Sequence, residues 1–142
     1  MTPTRPAALI VEDQPFVGLV ASDILKESGF DTIHAYDATD AVAVLDSHPE
    51  VEVLITEAKL PGEMNGLELC RRVSLEHPAV QLVVTASEEE LGSAEVPAGT
   101  RVLRKPYASG ELRTLVRRSR SPTPEITNNL RTRAAAGDRG RA

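Results

Sequence analysis

Four short apolar runs in the chain each stop at polar residues: Leu9 to Val11 at Glu12 and Asp13, Val51 to Ile55 at Thr56 and Glu57, Val80 to Val84 at Thr85, and Val102 with Leu103 at Arg104 and Lys105. Runs this short and apolar, separated by stretches of helical period, predict strands buried on both faces of a parallel sheet. Parallel strands end at one common edge. Three carboxylates, a hydroxyl and an ammonium are therefore expected to share a crevice there, and Glu57 decides what that crevice can do.

Between the strands, Asp13 followed by Pro15 predicts a helix start, with the side chain capping free amides and proline at an early helical position. Phe16, Leu19, Val20 and Ile24 recur at helical spacing, and Gly29 closes the helix. Phe30 to Tyr36 alternates weakly as a second strand. A second helix starts at Thr39 or Asp40, carries Val42, Val44 and Leu45, and ends at His48 and Pro49. The loop Leu60-Pro61-Gly62 leads to a third helix over Gly66 to Glu76, which Pro78 terminates. Gly92, Pro97 and Gly99 leave room only for a short fourth helix, and Ser109 opens a fifth with Leu112, Leu115 and Val116 inside.

Strands alternating with helices imply an α/β, flavodoxin-like doubly wound sheet with helices on both faces and right-handed crossovers. In such sheets ligands bind beyond the carboxyl ends of the strands, where the strand order reverses. For five strands ordered 2-1-3-4-5 that point lies between the first and the third, where Glu12, Asp13 and Glu57 meet.

The length of 142 residues suits one domain and a tail. We expect a disordered leader over 1–6, the folded domain over 7–120 and a disordered basic tail over 121–142, a segment with too few large apolar groups to offset its ordering entropy. From Arg117 onward seven arginines face only Glu125 and Asp138, a balance of +5 within a net −5, so the preceding residues carry −10. So acidic a body argues against a nucleic-acid-binding fold. One cysteine, Cys70, excludes an internal disulfide, and no apolar run approaches the roughly 20 residues of a membrane span. These features lead us to expect a cytoplasmic location.

Taken together, Glu12-Asp13, Leu60-Pro61-Gly62 four residues past Glu57, Thr85-Ala86 and Lys105-Pro106, in this order and spacing, resemble the receiver domain of bacterial two-component response regulators over about Ala8 to Arg118. The resemblance implies a Mg²⁺-assisted phosphoryl switch rather than an enzyme. In the family an acidic pair holds the metal, an aspartate ending the third strand takes phosphate from a histidine kinase, and a hydroxyl and a lysine contact the phosphoryl group. Glu12 and Asp13 match the pair, Thr85 the hydroxyl and Lys105 the lysine, whose bond to Pro106 is commonly cis in relatives. Hard Mg²⁺ takes carboxylate and phosphate oxygens, and hydroxyl and ammonium donors stabilise the rest. A histidine kinase or a downstream regulator is the implied partner, and homodimerisation through the fourth helix, fifth strand and fifth helix is a habit of the family. With so short a tail, no DNA-binding output domain is expected.

The chain departs from the pattern at three places. Glu57 stands where the family has aspartate. Its added methylene moves the carboxylate by about 1.5 Å, and in-line transfer tolerates little misplacement. Lys59 sits where a backbone carbonyl normally completes the metal shell. Its ammonium is expected to compete with Mg²⁺, an ion pair at ~4 Å and an effective dielectric of ~20 being worth about 4 kcal/mol before desolvation. Val102 takes the place of the aromatic switch residue, and Tyr107 reads as packing. These departures point to an atypical receiver, a phosphorylation-independent interaction module with a weak or lost Mg²⁺ site.

The alternatives are a functional single-domain phosphoacceptor or phosphate sink, and an unrelated metal-dependent hydrolase using Glu12, Asp13 and Glu57. A nucleotide or flavin binder is disfavoured, because no glycine-rich turn follows the first strand. His48 and His77 read as helix-end residues, Cys70 as a buried small residue, and Glu88, Glu89 and Glu90 as a solvated helix start.

Overall fold

In the computed structural model, which describes residues 5–92 and 95–120, strands and helices alternate. The elements are β1 (Ala7–Val11), α1 (Pro15–Glu27), β2 (Asp31–Ala35), α2 (Ala38–Ser47), β3 (Val51–Glu57), α3 (Gly66–Glu76), β4 (Gln81–Ala86), α4 (Glu88–Leu91), β5 (Arg101–Arg104) and α5 (Ser109–Arg120). The five strands form one sheet in the order β2-β1-β3-β4-β5, and every pairing is parallel. This is the flavodoxin-like arrangement expected from the alternation. The expectations for residues 1–4 and 121–142 lie outside the described residues. Arg5 and Pro6, counted with the leader, touch the fold, since the Arg5 guanidinium donates to the Phe30 carbonyl and the Asp31 N–H to the Pro6 carbonyl.

Because both sheet faces are covered, strand residues divide between two cores. Leu9, Val11, Leu54 and Val84 pack with Leu45, Leu69, Cys70 and Val73 of α2 and α3. Ala8, Ile10, Ile55 and Val83 pack with Ile24, Leu25, Phe30, Leu112 and Val116 on the α1 and α5 side. Burying one such side chain contributes roughly 1.5–3 kcal/mol. β1 is buried throughout, and β3 is buried at Val51 and from Val53 to Thr56, consistent with the apolar runs.

Helix α1 corrects two expectations. Its N-cap is Gln14 rather than Asp13, and makes no side-chain cap bond; Pro15 is the first helical residue. The apolar residues Phe16, Leu19 and Val20 do not face the core. Phe16 is 75% exposed, and the buried stripe is Gly18, Ala21, Ser22, Ile24 and Leu25. α2 begins one residue before the expected start, with Asp37 accepting from the Asp40 N–H at 2.8 Å. α3 has the expected bounds and a reciprocal capping box between Asn65 and Glu68. α4 is one turn long and ends at Gly92, whose φ is +54°.

Candidate functional site

Strand register brings the polar residues of the four runs to the same level. Val11 pairs with Thr56, Glu57 with Thr85, and Ala86 with Arg104. Glu12 and Asp13 follow β1 directly, and Lys105 follows β5. One oxygen each of Glu12, Asp13 and Glu57 lies within 4.8 Å of the others. The three expected carboxylates therefore meet, Glu12 buried, Glu57 half-buried and Asp13 exposed at the mouth.

The backbone beneath Glu57 is tightly held. The Thr56 hydroxyl donates to the Glu57 carbonyl at 2.9 Å, and the Gly66 N–H donates to the Ala58 carbonyl at 2.9 Å. A Cβ on Gly66 would lie 1.7 Å from the Glu57 carbonyl oxygen, so only glycine lets α3 start this close. From this held main chain the Glu57 side chain projects into the crevice. It forms an ion pair with the Lys105 ammonium, and its side chain is 11% exposed. The Lys105–Pro106 bond is cis.

The ionisation of the pair follows from its surroundings. Burial pushes the Glu12 carboxyl up, and a hydrogen bond with Glu57 adds to this, reaching about 8 against an ordinary 4.5. Glu12 thus keeps its proton at neutral pH and shares it with Glu57, while its Oε2 accepts from the Gln14 N–H at 3.1 Å. Burial also opposes ionisation of Glu57, but the hydrogen bonds from Glu12 and Lys105 outweigh it and hold the carboxyl below its usual range. Burial works against the Lys105 charge too, and the bond to Glu57 reverses the direction, so that its pKa is raised. The cluster is a neutral acid, a carboxylate and an ammonium. Tyr107 has its phenol pushed up by burial and then by the Glu12 charge.

Thr85 is buried beside Glu57 in register, its carbonyl accepting from the Ala58 N–H at 2.9 Å, and no hydrogen bond joins its hydroxyl to Glu57 among the described residues. Lys59 is exposed and makes no ion pair among the described residues, so the cation among the acids is Lys105 and not Lys59. Val102 is half-buried, and Tyr107 packs against the α1 and α5 core. His48 and His77 are the C-caps of α2 and α3, as expected of helix-end residues; the His48 ring meets the Val44 carbonyl at 3.0 Å and the His77 ring meets Asp46 at 3.3 Å.

The close approach at Gly66 and the cap at Ser87 went unread in the sequence, and Glu90, expected in a solvated helix start, instead turns to Ser87 and Lys105. Glu90 lies 3.5 Å from the Lys105 ammonium, a second anion on the same cation. The Ser87-x-x-Glu90 spacing is a capping-box signature that was available, but the charge partner across 15 residues was not.

A crevice of strand-end acids facing a lysine after the last strand, in a sheet of this order, has a match among known families. The model of the response regulator receiver domain fits residues 8–117. The chain belongs to that family. Among solved structures it is similar to a response regulator receiver domain protein of Clostridium thermocellum, with 19% identity, a TM-score of 0.73 and coverage of 80% of this chain and 93% of that one. The signal receiver domain of an HD domain-containing protein of Pseudomonas fluorescens Pf-5 shares 26% identity at a TM-score of 0.68, covering 82% and 94%. The receiver domain of NtrX from Brucella abortus shares 23% at 0.70, covering 79% and 96%. No helix among the described residues is long and apolar enough to cross a membrane.

Receiver domains typically bind Mg²⁺, and three carboxylates this close have the right donor chemistry for a hard cation. Glu12, Asp13 and Glu57 would hold it, and when bound it would neutralise charge on a transferring phosphoryl group.

Proposed function

We propose that this receiver domain is a phosphorylation-independent interaction module, a signalling component rather than an enzyme, in which the Glu57 carboxylate supplies the negative charge that a phosphoryl group brings elsewhere. The observation that carries the reading is the ion pair of Glu57 with Lys105. A phosphoacceptor must be a free nucleophile, and a carboxylate that accepts from an ammonium and from a carboxylic acid is a weak one. An incoming phosphoryl group would also meet the anion in the space it has to fill. Glu57 then holds the domain in one on-like arrangement, and its partner is a histidine kinase or a downstream regulator of a two-component pathway.

Acetyl phosphate with Mg²⁺, followed by intact mass measurement, tests this. The expected result is no phosphoryl adduct on the native chain. An adduct on Glu57 would favour the competing reading of a single-domain phosphoacceptor or phosphate sink, which the spacing of the three carboxylates supports. Pull-downs with Glu57→Asp and Glu57→Ala then ask whether the acid's length or its charge sets partner affinity. Loss in the alanine variant with retention in Glu57→Gln would overturn the charge mimicry.

A further inference from the structure

At the edge of the sheet opposite the strand-end acids, α2 and α3 both end, just before β3 and β4 begin. Their ends bring together Asp46, Glu76 and His77, and one ligating atom from each lies within 4.8 Å of the others. The His77 Nε2 meets Asp46 Oδ1 at 3.3 Å from one helix end to the other. Backbone bonds hold the ring's root in place, since the His77 N–H donates to the Val73 carbonyl at 2.7 Å and the Val80 N–H donates to the His77 carbonyl at 3.0 Å. Asp46 follows the buried Leu45 of α2. A carboxylate in the last turn of a helix faces the negative end of the macrodipole, which is the unfavourable arrangement. Both helices have it here, and neither has a basic residue in its last turn. Glu76 Oε2 accepts from Arg72 Nε at 3.1 Å, but both side chains are nearly half exposed and such a pair is worth little.

We infer that Asp46, Glu76 and His77 form a second divalent-cation site, selective for a borderline ion such as Zn²⁺ over Mg²⁺, which clamps the end of α2 to the end of α3. The imidazole sets this cluster apart from a patch of surface acids. Nitrogen is a ligand for Zn²⁺ and its neighbours among the transition metals, whereas Mg²⁺ and Ca²⁺ take oxygen. Three protein ligands and one water complete a tetrahedral shell. Ligands about 2.1 Å from such an ion stand about 3.4 Å from one another, so small rotations of the two exposed carboxylates suffice to close the shell. His77 Nε2 binds the ion without its proton. The ion places two positive charges where two carboxylates and two helix C-termini meet. The strand-end cluster is all carboxylate, so the two sites sort cations by ligand type, and the clamp stands apart from the chemistry at Glu57.

Calorimetric titration of the full chain with Zn²⁺ at neutral pH tests it, with amide ¹H–¹⁵N spectra to locate the ion. The native chain is expected to bind one Zn²⁺ here and to shift the amides of Asp46, Ser47, Glu76 and His77. His77→Ala should weaken this binding roughly tenfold or more, and Asp46→Asn with Glu76→Gln by a similar factor, a ligand counting for at least as much as an outer-shell partner. All three side chains are exposed or partly so, and an otherwise unchanged amide spectrum shows that the variants keep the fold. Glu12→Gln with Asp13→Asn, at the far edge of the sheet, should leave the affinity within about twofold, as should His48→Ala at the neighbouring helix end. Mg²⁺ should leave the Asp46 and His77 amides where they are. A native chain that binds no Zn²⁺ would overturn the inference. So would binding that survives His77→Ala but is lost in the strand-end variant, or that falls equally in His48→Ala and His77→Ala.

Discussion

On its α4 side the corner at Lys105 and Pro106 meets carboxylates; on its α1 side the same corner borders an apolar groove. The first flank is a turn held by a capping box and a shared cation. The second is an open groove of about 610 Å³ lined mainly by Phe16, Val17, Val20, Ile24, Pro106 and Tyr107, with Ser87, Lys105 and Ser109 among its walls. Charge is directional over a few ångströms and depends on protonation, whereas apolar contact depends on neither. A change of ionisation in the cluster therefore bears most directly on the α4 flank, where Glu90 meets Lys105, and less on the α1 flank, where Tyr107 is the group it reaches. One lysine corner thus joins a charged surface to an apolar one.

The comparison breaks most completely if the backbone that carries Glu57 is moved. Gly66→Ala would drive a Cβ to 1.7 Å from the Glu57 carbonyl, a backbone atom that cannot step aside cheaply. The expected loss is about 3 kcal/mol, at the upper end for overpacking. Urea denaturation measures it, and a loss below 1 kcal/mol would show that α3 slides freely under the site.

Lys105→Met strikes the charged flank next. It leaves the Glu57 carboxylate, 11% exposed, without its cation. We expect a loss of about 2 kcal/mol at neutral pH, somewhat below the range for breaking a fully buried pair because Glu57 can take up a proton instead. The double variant Lys105→Met with Glu57→Gln should recover at least half of that loss. A lack of recovery would show that the lysine stem, not its charge, is what matters.

How far the sequence reveals these two flanks differs for a physical reason. The four polar strand ends were readable because buried parallel strands leave few choices, and β3 and α3 follow the pattern almost residue for residue. The site could be assembled from them, up to the cation that serves it: Lys59 is near Glu57 in sequence, but Lys105 is the one that sheet closure brings there. On α1 the hydrophobic stripe pointed the wrong way. Phe16, Leu19 and Val20 have the spacing of an inner face, yet Gly18, Ala21, Ser22 and Leu25 have the same spacing and are the buried ones. Small residues let the helix approach the sheet closely. A Cβ on Gly18 would lie 2.1 Å from the ring of His34, which is stacked on Tyr36. Close approach is decided by volume, and a reading of hydrophobicity alone cannot see it.

The pH dependence sharpens the charged flank. Glu12 is raised from 4.5 to about 8 in the folded chain, so its contribution is complete below pH 4.5 and is lost as pH rises through 8. Glu57 is lowered, so its contribution is present above 4.5 and is lost as pH falls through its folded value. Of these two groups only Glu12 changes between pH 5 and 8, and its contribution to stability is expected to decline by roughly 3–4 kcal/mol. Glu12→Gln should flatten this slope while leaving the acid limb in place. Mg²⁺ affinity, followed by titration calorimetry, should rise over the same interval as Glu12 gives up its proton.

The smallest effect is expected on the apolar flank, and it is informative because it is small. Phe16 and Leu19 are 75% and 55% exposed, so replacing both by serine removes little buried area. The change in unfolding free energy should stay within about 0.5 kcal/mol, the usual range for surface positions. Serine has a lower helix propensity than leucine, and that alone accounts for a few tenths of a kcal/mol of loss. The α4 amides should move little, since no charge changes and Ser87 and Lys105, which also line the groove, are kept. A loss above about 1.5 kcal/mol would mean that Phe16 and Leu19 are covered in solution. Amide shifts on α4 would mean that the two flanks are coupled after all, through Pro106 and Tyr107, and the division drawn at Lys105 would have to be abandoned.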